Sequence, residues 1–250
     1  MLHGNATDLP IDDGFVDCIV TSPPYNVRAD YADVDDGIPL SEYRAMSEGS
    51  AREMHRVLKP GGRVWLNVVQ ATNQLGDPGR EAGERFNLLS LWMDALACAG
   101  LGFRDVVVWD KTIGNQATAW GSYLSPNAPN LRGRWEPVLS YFKSHWSRRS
   151  DFGPSRDLIP EEWMSLTRNV WSFPPDGRNR WHPAPFPEEL PRRCILLSTW
   201  PGDLVVDPFA GSGTTLRAAH ALSRNAIGIE LSRQYVRRWH EHGVQEVLPA

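Results

Sequence analysis

The chain is short of the residues that carry covalent or metal chemistry. Its 250 residues include three cysteines, Cys18, Cys98 and Cys194, with no Cys-x-x-Cys pair and no metal-ligand spacing. That excludes a disulfide-stapled scaffold and points to a reducing compartment. No run approaches the ~18 consecutive apolar residues of a membrane-spanning helix. The opening Met1-Leu2-His3-Gly4-Asn5 lacks the basic-then-apolar order of a secretory signal, so a cytoplasmic location is expected. A composition of 41% hydrophobic and 22% charged residues excludes a wholly disordered chain.

A net charge of −4 gives no overall attraction to a polyanion, but the charge is unevenly spread. Residues 1–60 hold 5 Lys/Arg against 11 Asp/Glu, whereas residues 132–193 hold 11 against 8. The second stretch interleaves Arg132, Arg134, Lys143, Arg148 and Arg149 with Trp135, Tyr141, Phe142 and Trp146. Basic residues among aromatics suit a polyanion with stackable bases. A solvated face beside a few core aromatics has the same composition.

Short apolar runs alternate with helical segments. Strands are expected at 16–20, 63–69, 103–109, 137–142, 203–206 and 226–230. Helices are expected at 41–58, 86–99, 189–199, 214–222 and 234–242, with Lys59-Pro60-Gly61-Gly62 as a helix stop. Alternation of this kind implies an α/β fold with a mostly parallel sheet and helices on both faces. Residues 112–135 and 143–180 show no steady period and are long for plain connections.

Two motifs end strands. Asp207-Pro208-Phe209-Ala210-Gly211-Ser212-Gly213-Thr214-Thr215 follows a strand and opens a helix, where glycines admit a close ligand and the first N–H groups are unpaired. It lacks the Gly-Lys-Ser/Thr of a nucleoside-triphosphate loop and the third glycine of a dinucleotide fingerprint. Glu230 ends the next strand, where an acid can accept from both ribose hydroxyls. Together they suit a nucleoside-containing cofactor; a tight turn beside a surface glutamate is the plainer alternative. The second motif is Thr21-Ser22-Pro23-Pro24-Tyr25-Asn26. Its prolines fix the backbone and offer carbonyl acceptors, Ser22 adds a small polar group, and Tyr25 adds a ring for stacking. Such a loop suits an amino group on a planar base, although Pro-Pro is also ordinary strand-ending punctuation.

In this order the motifs closely resemble those of the S-adenosylmethionine-dependent DNA amino-methyltransferases, in their permuted β-class. Leu58-Lys59-Pro60-Gly61-Gly62, Trp109-Asp110-Lys111 and His182-Pro183-Ala184-Pro185-Phe186-Pro187 also resemble family elements. Asn5 departs from the family's usual aspartate but can still bond an adenine edge. The resemblance implies a Rossmann-like, mostly parallel seven-stranded sheet. Residues 1–250 would form a single catalytic domain, with DNA-recognition loops inserted at about 112–135 and 143–180. It implies Ser22, Pro23, Pro24 and Tyr25 as catalytic residues. The cofactor, S-adenosyl-L-methionine, would be held by Asn5, Asp207, Phe209, Ala210, Gly211, Ser212, Gly213, Thr214 and Glu230, with His182, Pro183 and Phe186 nearby. Arg132, Arg134, Lys143, Arg148 and Arg149 would bind duplex DNA, and no metal is implied. Membrane association is not expected; a homodimer and a companion restriction endonuclease stay open.

The residues before the cysteines are Asp17, Ala97 and Arg193, so the Pro-Cys nucleophile that carbon-5 methylation of cytosine needs is missing. Zinc-deaminase ligand spacing is missing too. The implied chemistry is therefore direct transfer to an amino nitrogen of a flipped-out base, assisted by acceptors at Ser22 and the Pro23 carbonyl. Tyr25 would act through its ring face, so its hydroxyl is expected to be dispensable. Serine at the head of the catalytic motif goes mostly with cytosine N4 in the resembling family and aspartate mostly with adenine N6. Cytosine N4 is the expected target, with adenine N6 as the alternative. A catalytically silent nucleic-acid-binding protein of the same fold is the alternative of another class.

Overall fold

In the computed structural model, all residues are described except 28, 32, 72–84, 113–124, 128–130, 132, 149–156, 176–185 and 244–250. Arg132, Arg149, His182 and Pro183 therefore lie outside the described residues. The strands are β1 (Leu2–His3), β2 (Val16–Thr21), β3 (Asp30–Tyr31), β4 (Val34–Asp35), β5 (Leu58–Asn67), β6 (Gly102–Asp110), β7 (Trp135–Phe142), β8 (Val170–Ser172), β9 (Leu204–Asp207) and β10 (Asn225–Glu230). The helices are α1 (Leu40–Val57), α2 (Leu88–Cys98), α3 (Pro160–Leu166), α4 (Glu189–Leu196), α5 (Thr214–Ala221) and α6 (Arg233–Arg238), the last followed by a π-helical turn.

The main sheet runs β1-β10-β9-β2-β5-β7-β6-β8, and β3 and β4 form a separate hairpin. It has eight strands rather than seven: the six located in the sequence, extended at the edges by two short ones, β1 and β8. Pairing is parallel except at β7, which lies antiparallel between β5 and β6. The 143–180 segment is not wholly irregular, since it contains α3 and β8.

Side-chain alternation along the strands explains the two cores. Ile19, Val64, Leu66, Leu139 and Val206 point to one face and pack with Tyr43, Met54, Trp92 and Leu96 of α1 and α2. Their neighbours Cys18, Val20, Trp65, Val138 and Val205 point to the other, against Cys194, Ile195, Ala218 and Ala219 of α4 and α5. Both faces are thus covered, as a buried parallel sheet requires.

Lys59-Pro60-Gly61-Gly62 does end α1, but it then bulges within β5. Val16 pairs with Leu58 and Cys18 with Arg63, so the intervening residues loop out. Gly61 takes φ +81° there while its N–H donates to the Lys143 carbonyl at 2.7 Å. A side chain at that φ would be strained.

Chain connections leave β2 toward β5 on one side and β9 toward β10 on the other. The order of the sheet reverses between β2 and β9, and a crevice opens beyond their carboxyl ends.

Candidate active site

That crevice is a cavity where four strand ends meet. Gly4, Asn5 and Ala6 follow β1; Ser22, Pro23, Pro24 and Tyr25 follow β2; Pro208 to Ser212 and Thr214 follow β9; Glu230 and Leu231 end β10. Val34, Asp36, Ile38, Met46, Phe186 and Tyr235 complete the wall. Both motifs, separated by 185 residues from Ser22 to Asp207, share one cavity because their strands are neighbours.

Glu230 is the wall's carboxylate at the end of β10. Its Oε2 accepts from Gly211 N at 2.8 Å and its Oε1 from Ser232 N at 2.8 Å. Burial pushes its pKa up, partly offset by those N–H groups. Each oxygen keeps a second lone pair, so the group can still accept from two hydroxyls of a ligand.

Asp207 does something different from what its motif suggests. It lies behind the wall, 1% exposed, and its carboxylate is occupied by the protein itself. Thr21 Oγ1 and Phe209 N donate to Oδ1 at 2.6 and 3.1 Å, and Thr215 Oγ1 donates to Oδ2 at 2.7 Å. The side chain ties β2, β9 and α5 together at the crevice. Desolvation raises its pKa to about 6 despite these donors. Gly213 also faces away from the cavity. It caps α5 at φ +76°, and a Cβ there would come within 2.3 Å of the Trp239 ring.

The Ser-Pro-Pro-Tyr loop is held by α1. The Tyr43 hydroxyl donates to the Pro24 carbonyl at 2.6 Å and accepts from Trp92 Nε1 at 3.1 Å. Pro24's carbonyl is therefore already engaged by the protein, whereas Pro23's has no partner among the described residues. Ser22 Oγ lies 3.1 Å from the Tyr25 hydroxyl. That hydroxyl also reaches Asn67 Oδ1 at 3.3 Å and Glu136 Oε2 at 3.4 Å, so it is engaged rather than idle.

Just beyond Tyr25 the backbone is pinned by Asp36. This buried carboxylate accepts from the backbone of Asn26, Val27 and Ala29 at 2.9 to 3.2 Å. Neither Asp36 nor Tyr235 was singled out in the sequence, since neither belongs to a motif. Asn67 and Glu136 were missed for another reason, each being an isolated polar residue flanked by apolar neighbours. Asn5 is on the wall, with Oδ1 accepting from Thr7 N at 3.1 Å.

Among the described residues, the basic ones singled out in the sequence do not gather at the cavity. Arg148 sits at the opposite edge of the sheet, donating to Asp203 Oδ1 and Oδ2 at 2.9 and 2.7 Å and to Asp17 Oδ1 at 2.7 Å. Lys143 lies at the same far edge, bonded to the carbonyls of Leu58 and Arg56 at 2.8 and 3.2 Å. Both correct the expectation of a common DNA-binding surface, because their charges are spent on the protein's own acceptors. Arg134 is on the cavity's side of the sheet, paired with both oxygens of Asp110 at 2.7 and 2.9 Å.

Fold, strand-end motifs and cavity together define a methyltransferase of the nucleoside-cofactor α/β type. The chain matches the DNA methylase family over residues 16–241 and belongs to it, an S-adenosylmethionine-dependent group that methylates exocyclic amino nitrogens of DNA bases. It is 32% identical to the type II methyltransferase M.MjaVI of Methanocaldococcus jannaschii over 68% of this chain and 82% of that protein. It is also 32% identical to the type II methyltransferase M.Cfr9I of Citrobacter freundii, over 89% of this chain and 79% of that one. Among solved structures it resembles a Thermus thermophilus protein described as a DNA modification methylase and crystallised with S-adenosyl-L-methionine. That match has 27% identity and a TM-score of 0.74, covering 99% of this chain and 95% of the other. Among the described residues, no helix is long and apolar enough to cross a membrane, and no His/Cys/Asp/Glu group could hold a metal.

Proposed function

We propose that this chain methylates the N4 amino group of cytosine in duplex DNA, as a single cytoplasmic catalytic domain. One observation carries the reading: the Ser22 hydroxyl and the Pro23 carbonyl, the latter without a partner among the described residues, share a cavity wall with the Gly211 turn and Glu230. The wall fits an adenosine-type cofactor. A carboxylate at a strand end suits the ribose hydroxyls, and Phe186, Phe209 and Tyr235 supply an apolar slot for the base. S-adenosylmethionine supplies an electrophilic methyl group on a sulfonium when bound.

Glu230 would hold the ribose, while Asn5 and Phe209 would line the adenine slot. Ala210, Gly211, Ser212 and Thr214 would line the rest, and Asp207 and Gly213 would shape the turn from behind. Tyr25 would stack on a base swung out of the duplex, since a stacked base cannot meet the methyl donor in line. The amino lone pair of a base is delocalised into the ring. Acceptors at Ser22 Oγ and the Pro23 carbonyl favour a pyramidal nitrogen and stabilise the positive charge that develops on it. Arg134, on the cavity's side of the sheet, would meet the DNA backbone, with the 112–135 segment as a recognition loop.

Serine in the lead position of the loop is what favours cytosine over adenine. The deciding experiment is direct. Unmodified DNA is incubated with the protein and S-adenosylmethionine, then digested, and the nucleosides are separated by mass. N4-methylcytosine is the expected product; N6-methyladenine would transfer the reading to adenine, and no methylated nucleoside would overturn it.

A further inference from the structure

Hydrogen-bond polarity inside the cavity is set from outside it. The Tyr25 hydroxyl has one hydrogen, and its neighbours include three polar atoms, Ser22 Oγ, Asn67 Oδ1 and Glu136 Oε2. The Asn67 amide nitrogen donates to the Pro137 carbonyl at 3.2 Å, which turns its oxygen toward Tyr25. Glu136 accepts from Lys111 Nζ through Oε1, leaving Oε2 facing the phenol. An amide oxygen and a carboxylate only accept. The phenol hydrogen is therefore committed to Asn67 and Glu136, and its oxygen is left to accept from Ser22. The Ser22 hydrogen then points at Tyr25, so the serine offers only lone pairs to a ligand.

We propose that Glu136, held by Lys111 and acting through the Tyr25 hydroxyl, fixes Ser22 as an obligate hydrogen-bond acceptor and thereby selects bases bearing an amino group over bases bearing a carbonyl at the same position. This rests on the reading of the cavity as the site of amino methylation. Glu136 touches no substrate, so it is a positioning residue. Its mount is rigid: it pairs with Trp109 across β6 and β7, and Lys111 Nζ lies 4.9 Å from the centre of that buried indole. During transfer the amino nitrogen gives its lone pair to the methyl carbon, the carbon–sulfur bonding pair goes to sulfur, and one N–H proton is then released to water. The N–H groups become stronger donors as the nitrogen gains charge. A serine free to turn its own hydrogen toward them would lose that stabilisation.

The test compares two duplexes differing only at the target base, once the methylated position has been located by sequencing. One carries cytosine and the other uracil, whose 4-carbonyl accepts where the amino group donates; adenine and hypoxanthine replace them if the product is N6-methyladenine. Affinities are measured with S-adenosylhomocysteine present, for wild type, Tyr25→Phe, Glu136→Gln and Lys111→Met. Tyr25→Phe keeps the stacking ring, and Glu136→Gln places a donor beside the phenol oxygen. The preference for the amino base should shrink by about tenfold in both variants, the scale of one redirected hydrogen bond. Lys111→Met should shift it the same way by less. kcat should fall by about tenfold while S-adenosylmethionine affinity holds, a split that mere loosening of the fold would not produce. An unchanged amino-to-carbonyl preference in both Tyr25→Phe and Glu136→Gln, with wild type methylating DNA, would overturn the polarity argument alone. A wild-type protein that methylates no amino group would instead sink the functional reading beneath it.

Discussion

Single carboxylates at the crevice divide the work between ligand and scaffold. Glu230 keeps lone pairs for a ligand, so Glu230→Gln should weaken S-adenosylmethionine binding by about 1.5–3 kcal/mol, the scale of hydrogen bonds to a charged acceptor. Calorimetry on the folded variant reads this directly, and unchanged affinity would remove Glu230 from the site. Asp207 is a structural knot with a raised pKa of about 6. The folded state therefore takes up its proton before the unfolded state does. The cost of burying the charge is present above that value and is relieved as pH falls toward the unfolded value of about 4. Wild type should gain stability relative to Asp207→Asn between pH 7 and 5, on the order of 1 kcal/mol, in paired urea melts. A difference independent of pH would show that Asp207 stays charged in the folded protein across that range, its pKa not raised. Chemistry type alone gave the Tyr25 hydroxyl no partner, and the structure supplies several. A ring that stacks explains the tyrosine without its oxygen, and only the positions of Asn67 and Glu136 reveal what the oxygen binds.

At the scale of elements, the turn between β9 and α5 depends on backbone shape. Gly213→Ala would place a side chain at φ +76° and push a Cβ into Trp239. We expect a loss of about 2 kcal/mol or more in thermal unfolding, with weakened cofactor binding because Gly211 and Glu230 share the turn. Stability within a few tenths of a kcal/mol of wild type would show that the π-helical turn yields freely. Most elements were legible because their signals are local. α1 shows buried Tyr43, Ser47, Met54 and Val57 at helical spacing, and β2 ends at Ser22-Pro23-Pro24. The reversal of β7 was not legible, since strand direction is decided by pairing partners and leaves no mark on alternation. The edge strands β1 and β8 were too short to carry a period.

Across the whole molecule, the two edges of the sheet do different jobs. The carboxyl edge holds the cavity, and the amino edge is locked by Arg148 between Asp17 of β2 and Asp203 just before β9. Arg148→Ala would leave Asp17, 2% exposed, with fewer partners. It should cost about 3 kcal/mol of stability in denaturant unfolding, as for a broken buried pair. The salt dependence of DNA binding should be unchanged, whereas one lost phosphate contact would lower its slope by about 1. A reduced slope with full stability would restore Arg148 to the DNA surface. The basic-aromatic composition of 132–193 pointed to a single surface because composition has no direction. Paired strands send Arg134 to one edge and Arg148 to the other.

The sequence by itself determined the α/β class, the strand-end motifs at Ser22–Tyr25 and Asp207–Thr215, and the acid at Glu230. Each is written in consecutive residues, whose spacing fixes local backbone and exposed chemistry. Only the tertiary structure decided that Asp207 faces inward, that Arg148 is spent at the far edge, and that Glu136 reaches Tyr25. These depend on which strands become neighbours. Pairing brings together groups more than a hundred residues apart, and a hydrogen bond over about 3 Å cannot be read from a separation along the chain.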